Sequence, residues 1–273
     1  MIRLIDVKKE LSINKNPVFK VLYQHPSNYT FSVIVVNQPE KIIICYPSMI
    51  GCTGRCMICR SKDKEFVCNL SNEEMTACCT QSLSVINDEK TKPVLFSCMG
   101  EGEPLNNSDN LLKTIHSLTE LYRGKKVKFA LSTSAPTKIK LRQILAKPLL
   151  KTQISTHSLI EKKRKAIIPD SITINDLMEE IEPYKNTTNL ELNFVLIDNL
   201  NDTYEDAQEI IQNIGDKFLV KINKFNNFDG SGIEESGKKK SFVTYLIANK
   251  VKVEEYITDS SKLETGCGLS PAF

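Results

Sequence analysis

At 273 residues, 41% of them hydrophobic, the chain is long enough to bury a large core as one domain, and its net charge of +3 neither requires nor forbids a nucleic-acid partner. Nine cysteines are too few for a disulfide scaffold of this length, and four of them fall within fifteen residues, which points to metal or redox chemistry in a reducing compartment. Residues 1–9 carry no signal-peptide pattern and no apolar run approaches ~18 residues, so the composition excludes a secreted or membrane-spanning chain and a cytoplasmic location is expected.

In chain order, residues from about Val18 to Cys45 read as β-rich. The β-branched runs Phe31–Val36 and Lys41–Cys45, separated by Asn37-Gln38-Pro39-Glu40, predict a hairpin. Ser71 with Glu74 predicts a capped helix running to Val85, and Pro93–Cys98 a short apolar strand. The alternation then recurs: helix Asp109–Tyr122, strand Val127–Ser132, helix Lys138–Leu145, strand Thr152–Thr156 and a helix Thr173–Glu182 capped by Ser171 or Thr173. Strands Leu190–Leu196, Phe218–Ile222 and Val251–Tyr256 follow, with helices Thr203–Ile214 and Lys238–Asn249 between them. No repeat, low-complexity tract or linker divides the chain. About six βα units predict an α/β fold, an open, partial (β/α)6 barrel of the TIM type, with residues 1–44 as a β-rich N-terminal extension packed on a core of 45–273. In such a fold the chemistry gathers at the C-terminal ends of the strands.

The loop after the first of these strands holds Cys52, Cys56 and Cys59, spaced C-x3-C-x2-C. Three thiolates can hold three irons of a 4Fe-4S cluster, and a missing fourth ligand leaves one iron open, where S-adenosylmethionine would bind. A ferredoxin supplies a fourth cysteine in register and a structural zinc site wants four closed ligands, so neither fits. Polar interruptions follow the later strands as well: Gly100-Glu101-Gly102-Glu103-Pro104, Thr133-Ser134, Ser155-Thr156-His157 and Asn226. On local chemistry the glycine-rich segment is equally an ordinary turn, His157 a structural histidine and Asn226 a turn residue. The functional alternative has the glycines allow close backbone approach while Glu103 accepts bonds from a ligand ammonium group. Cys68, Cys78, Cys79 and Cys98 have no ligand-like spacing and read as inert thiols. Cys267 stands between Gly266 and Gly268 near the C-terminus, and with Cys45 it makes a candidate reactive pair.

Taken together, C-x6-C-x3-C-x2-C from Cys45 to Cys59, Gly100–Asn106, Leu131–Ser134, Ser155–His157, Lys221–Asn223 with Asn226, and Gly266–Gly268 resemble the radical SAM RNA adenine methyltransferases of the RlmN/Cfr type, in order from about residue 18 onward. The resemblance implies a radical SAM methyltransferase that methylates an adenine ring carbon, C2 or C8, of rRNA or tRNA, using two S-adenosylmethionine molecules per methylation. It implies Cys52, Cys56 and Cys59 as cluster ligands, and Gly102, Glu103, Ser132, Ser155, Thr156, His157 and Asn226 as contacts to S-adenosylmethionine. Cys267 would carry an S-methylcysteine intermediate, and Cys45 would resolve the protein–RNA adduct by forming a disulfide with Cys267. An external electron donor such as flavodoxin or ferredoxin, a monomer, and no membrane partner are the further expectations. Two departures from the family pattern stand out: this chain begins close to the strands preceding the cluster loop, without the N-terminal helical accessory domain, and Thr30–Ile34 offers no acidic residue for proton removal. The basic runs Glu161–Lys165 and Lys238–Lys240 could neutralise phosphates or be solvated faces. Other readings of the same residues are a radical SAM enzyme acting on a different RNA or a small molecule, and a non-catalytic iron–sulfur or RNA-binding module.

Overall fold

A computed structural model of the chain describes residues 1–86, 92–228 and 231–257. These fall into two compact units, one built from Met1–Thr53 and Arg60–Leu131, the other from Gly54–Cys59 and residues 132–257.

The first unit opens with four antiparallel strands, β1 (Arg3–Leu11), β2 (Pro17–Gln24), β3 (Thr30–Asn37) and β4 (Ile42–Cys45). The Phe31–Cys45 hairpin is as the β-branched runs predict. β1, which the sequence reading did not delimit, is exposed along nearly its whole length, and its polar residues and a register shift between Leu4 and Asp6 suit an edge strand that must not pair further. The chain then turns through β5 (Met49–Ile50) and β6 (Cys68–Asn69), a two-residue antiparallel ribbon that closes the base of the cysteine loop. Helix α1 (Asn72–Leu83) begins at the predicted box: Ser71 Oγ accepts from the Glu74 N–H, and the Glu74 carboxylate accepts from the Ser71 N–H. It buries Met75, Cys78, Cys79 and Leu83. Strand β7 (Val94–Cys98), helix α2 (Ser108–Leu121) and strand β8 (Val127–Thr133) complete the unit, with β4, β7 and β8 parallel and Cys45 opposite Ser97.

In the second unit the strands are parallel in the order β9 (Leu150–Ser155), β10 (Leu190–Val195), β11 (Leu219–Asn223) and β12 (Lys252–Tyr256). Helices α3 (Lys138–Leu145), α4 (Glu161–Ile167), α5 (Ile174–Ile181), α6 (Tyr204–Asn213) and α7 (Lys239–Ala248) precede or link them. Thr173 is the cap of α5, accepting from the Asp176 N–H, and Thr203 caps α6 through a box with Asp206. Ile154, Leu192, Phe194, Val220 and Ile222 of the strands are buried, as are Leu141, Ile144, Leu177, Ile181, Ile210 and Leu246 of the helices. The period of two sends Leu190, Leu192 and Phe194 to one side of β10 and Glu191, Asn193 and Val195 to the other, and all six are buried. A hydrophobic layer and a buried polar face therefore share one strand. No helix is long and apolar enough to cross a membrane among the described residues.

Candidate active site

The cysteine loop begins at Gly51. This residue has φ +73°, and a Cβ there would stand 1.9 Å from the Glu65 carbonyl oxygen, so only glycine lets the two ends of the loop close on one another. The Val67 N–H donates to the Ile50 carbonyl at 3.0 Å across the same neck. The turn after β7 packs against this neck. Gly102 has φ +102° and a Cβ there would lie 2.2 Å from Met49 Cγ, while a Cβ on Gly100 would meet the Tyr46 carbonyl carbon at 2.9 Å. In the first unit the glycines of Gly100–Pro104 thus allow close approach to the chain's own residues 46–49. Glu101 is 2% exposed, and burial pushes its carboxyl up, opposed by Lys64 Nζ at 2.9 Å and by the Gly51 N–H. Glu103 is buried and its Oε1 accepts from the Leu105 N–H, capping the 3-10 turn Pro104–Asn107. Cys45, half-buried, ends β4, and Cys52 is half-buried just past the neck.

Cys56 and Cys59 lie on the segment of the loop that belongs to the second unit. There the Met57 N–H donates to the Ile167 carbonyl at 2.8 Å, the Arg55 N–H to Asp170 Oδ2 at 3.2 Å, and the Cys59 N–H to the Cys56 carbonyl at 3.1 Å. The end of α4 therefore holds this segment. Arg164 of α4 is fully buried: Nη1 donates to the Ser155 and Thr156 carbonyls at 2.9 and 2.7 Å, and Nη2 to the Ser134 carbonyl at 3.3 Å. Burial lowers its pKa to about 10, with the charges of Glu161 and Cys56 acting the other way. Glu161–Lys165 reads as a run for phosphate or solvent, and Arg164 has neither role; three carbonyls at strand ends have claimed it. Its place on the α4 face that also carries Ile167 and Ile168, three and four residues on, was the available sign. Lys163 Nζ meets Asp206 at 2.7 Å, and Lys165 Nζ meets the Ser171 carbonyl. In the second run Lys238 and Lys239 pair with Asp202 and Glu235.

Ser132 and Ser155 come together, with their half-buried hydroxyls 3.5 Å apart. Thr156 is fully buried: its hydroxyl donates to the Ile154 carbonyl at 3.1 Å and its N–H to the Asn193 carbonyl at 2.9 Å, while its carbonyl accepts from Arg164. His157 sits at φ +58°, and its Nδ1 accepts from the Val195 N–H at 3.1 Å, so the neutral ring carries its proton on Nε2. Burial first, then the charge of Arg164, lowers its pKa to about 3. Asn226 is half-buried three residues beyond β11. Cys267 lies outside the described residues. Of the cysteines without ligand spacing, Cys78, Cys79 and Cys98 are buried and Cys68 is half-buried, and burial raises the pKa of Cys68, Cys79 and Cys98, as inert thiols require.

Among the described residues no three His, Cys, Asp or Glu side chains converge on a single metal ion. A cluster asks for something different, because each iron takes its own thiolate. Cys52, Cys56 and Cys59, all half-buried on one loop, are a donor set of that chemistry.

No protein-family model matches the chain. Among curated proteins it is 25% identical over 260 residues to a probable dual-specificity RNA methyltransferase RlmN of Thermotoga sp. (strain RQ2), across 91% of this chain and 74% of that one. It is 28% identical over 279 residues to the protein of the same name from Chlorobaculum tepidum, across 94% of this chain and 71% of that one. Among solved structures, a radical SAM methyltransferase from Sphaerobacter thermophilus superposes with a TM-score of 0.86 at 19% identity, covering 97% of this chain and 80% of that chain. Streptococcus suis SuiB bound to S-adenosylmethionine gives a TM-score of 0.58 at 15% identity, covering 86% and 57%. Over most of its length the chain is thus similar to RlmN-type RNA methyltransferases, and it shares the α/β fold of a radical SAM methyltransferase.

Proposed function

We propose that the protein is a radical SAM enzyme that methylates a ring carbon, C2 or C8, of an adenine in rRNA or tRNA, through an S-methylcysteine intermediate and at the expense of two S-adenosylmethionine molecules. What supports this most is the company the cluster motif keeps: Cys45 seven residues before Cys52, and Cys267 between two glycines near the C-terminus. Three cluster thiols alone would give only a radical-generating enzyme; the two further thiols give a methyl carrier and its resolving partner.

When bound, the 4Fe-4S cluster and S-adenosylmethionine supply the electron, a hydrogen-abstracting 5′-deoxyadenosyl radical and the methyl group. Cys52, Cys56 and Cys59 hold the cluster. Gly102, Glu103, Ser132, Ser155, Thr156, His157 and Asn226 contact S-adenosylmethionine. Cys267 accepts the methyl on sulfur and presents it to the adenine. Once that carbon is joined to the base, with loss of the ring proton and of one electron, the Cys45 thiolate attacks the Cys267 sulfur: the S–S bond forms as the S–CH2 bond breaks, and the electron pair left on the methylene carbon takes a proton, which releases the methylated base. The disulfide must be reduced before another turnover, and an external flavodoxin or ferredoxin supplies electrons to the cluster. A monomer in a reducing cytoplasm suits that chemistry. The test is nucleoside analysis of total RNA from cells with and without expression of this chain: a new C-methyladenosine is expected, and its absence from cells making cluster-loaded protein would refute the reading.

A further inference from the structure

The parallel register of the first unit gathers cations that are scattered in sequence. Ile42 stands opposite Val94 and Val94 opposite Val127, so the residues entering these strands, Lys41, Pro93 and Lys126, sit side by side at the N-terminal edge. The Ile42 N–H donates to the Pro93 carbonyl and the Val94 N–H to the Lys126 carbonyl, both at 2.9 Å. Lys92 comes just before Pro93, and Arg123-Gly124-Lys125-Lys126-Val127-Lys128 carries four cations on the turn from α2 into β8, where Gly124 at φ +90° makes the bend. One step into the sheet, Ile43, Leu95 and Lys128 form a row.

Little of this charge is neutralised. Arg123 pairs with Glu120. Lys125 lies over the Tyr122 ring, 5.5 Å from its centroid, and Lys92 Nζ donates to Asn37 Oδ1 at 2.9 Å and to the Gln38 carbonyl at 3.0 Å, all of them uncharged partners. Among the described residues no ion pair includes Lys41, Lys126 or Lys128, and Lys126 and Lys128 are exposed. Glu40, the neighbour of Lys41 in sequence, is exposed and pairs with none of them. The other basic runs behave differently, since Lys163, Lys238 and Lys239 are each held by a carboxylate. Like charges on neighbouring strands repel, and at this edge most of them have no carboxylate to offset that cost. A solvent-facing edge of one sign suits a polyanion.

We propose that this edge is a docking surface for the phosphate backbone of the RNA substrate, at nucleotides flanking the target adenine; this rests on the RNA methyltransferase reading above. Its place in the sheet suits that role. The rows Ile43–Leu95–Lys128 and Cys45–Ser97–Ala130 lie two residues apart, so Lys128 shares a sheet face with Cys45. Two residues along and two strands across put their Cα atoms about 12 Å apart. At ~3.4 Å per stacked nucleotide, about four steps cover that distance. Lysines meet phosphate as point charges and read no base, so the surface supplies affinity and orientation and leaves the choice of adenine to the residues around it.

The experiment is equilibrium binding of total tRNA, and separately of fragmented ribosomal RNA, to the cluster-loaded protein over a series of potassium chloride concentrations. The wild type is expected to bind, with log affinity falling linearly in log salt. Lys126→Gln with Lys128→Gln is expected to bind about tenfold more weakly at about 0.1 M salt, with a slope shallower by about 1.4, from ~0.7 per lost phosphate contact. Lys126→Arg with Lys128→Arg keeps the charge and is expected to keep the wild-type slope. Lys162→Gln with Lys240→Gln removes the same charge from two exposed positions elsewhere and is expected to leave both slope and affinity unchanged. A wild-type slope in the first variant, or an equal loss in the third, would overturn the surface and leave the methyltransferase reading standing. So would unchanged RNA binding with weakened docking of flavodoxin in the first variant, which would make the edge a site for the electron donor. Failure of the wild type to bind either RNA would overturn both.

Discussion

Lys64 Nζ lies 2.9 Å from Glu101 Oε1, and this contact ties the chain just past the cysteine loop to the turn that follows β7. The Gly51 N–H reaches the same carboxylate from the other side of the loop, so one buried group meets both ends of the segment that carries the cluster ligands. Removing only the lysine strands a carboxylate that burial already pushes toward protonation. Lys64→Met is expected to cost about 3 kcal/mol in urea unfolding, and Lys64→Met with Glu101→Met to recover most of it. If the single and double variants are equally destabilised, the pair is not coupled.

Gly51 makes a sharper test of the loop's neck. Alanine there combines a left-handed backbone with a 1.9 Å clash against a backbone oxygen, whereas Gly124→Ala has φ +90° but open space. Gly124→Ala is expected to cost about 1 kcal/mol. Gly51→Ala should cost several times as much and purify with much less iron after anaerobic reconstitution. Iron content equal in the two variants would contradict a neck that shapes the ligand loop.

His157 gives a signed pH dependence. Its folded pKa of about 3 lies below the ordinary value of 6.5, so between those limits the unfolded chain binds the additional proton and stability falls as pH falls. At pH 5 this group alone removes about 2 kcal/mol relative to neutral pH, a figure that needs only a folded pKa well below 5. His157→Gln, whose amide oxygen can still accept from Val195, is expected to flatten that part of the profile measured by chemical denaturation at pH 5 and 7.

Arg164 binds the carbonyls of Ser134, Ser155 and Thr156 with one planar fork. A lysine presents a single ammonium and cannot span all three. Arg164→Lys should therefore lose stability, by about 2 kcal/mol, and Arg164→Met more, with weaker S-adenosylmethionine binding in both because Ser155 shifts with its carbonyl. Thermal melts and binding isotherms give the two readouts.

For the proposed chemistry, Cys45→Ala is expected to accumulate a covalent protein–RNA adduct visible by denaturing gel and mass spectrometry, since the resolving thiol is gone. Release of free methylated RNA from that variant would remove Cys45 from the mechanism. Wild-type protein made with labelled S-adenosylmethionine should carry one methyl on Cys267, and Cys267→Ala none.

Local chemistry determined a great deal. Hydrophobic periods of two and 3.6, with Ser71, Thr173 and Thr203 at helix starts, place β3, β4, β7 to β12 and the described helices other than α4, because those signals act over a few residues and survive packing. C-x3-C-x2-C is likewise legible as written, since ligand spacing on one loop is a local property. Partners distant in sequence are not. Glu161–Lys165 reads as a charged run, and only packing could decide that Arg164 turns inward to strand-end carbonyls while Lys163 takes Asp206. Asn193 and Glu191 look like alternating polar residues of a strand exposed on one side. What buries them is the packing of the parallel strands, which covers both faces of β10 and brings Lys221 of β11 to the Glu191 carboxylate.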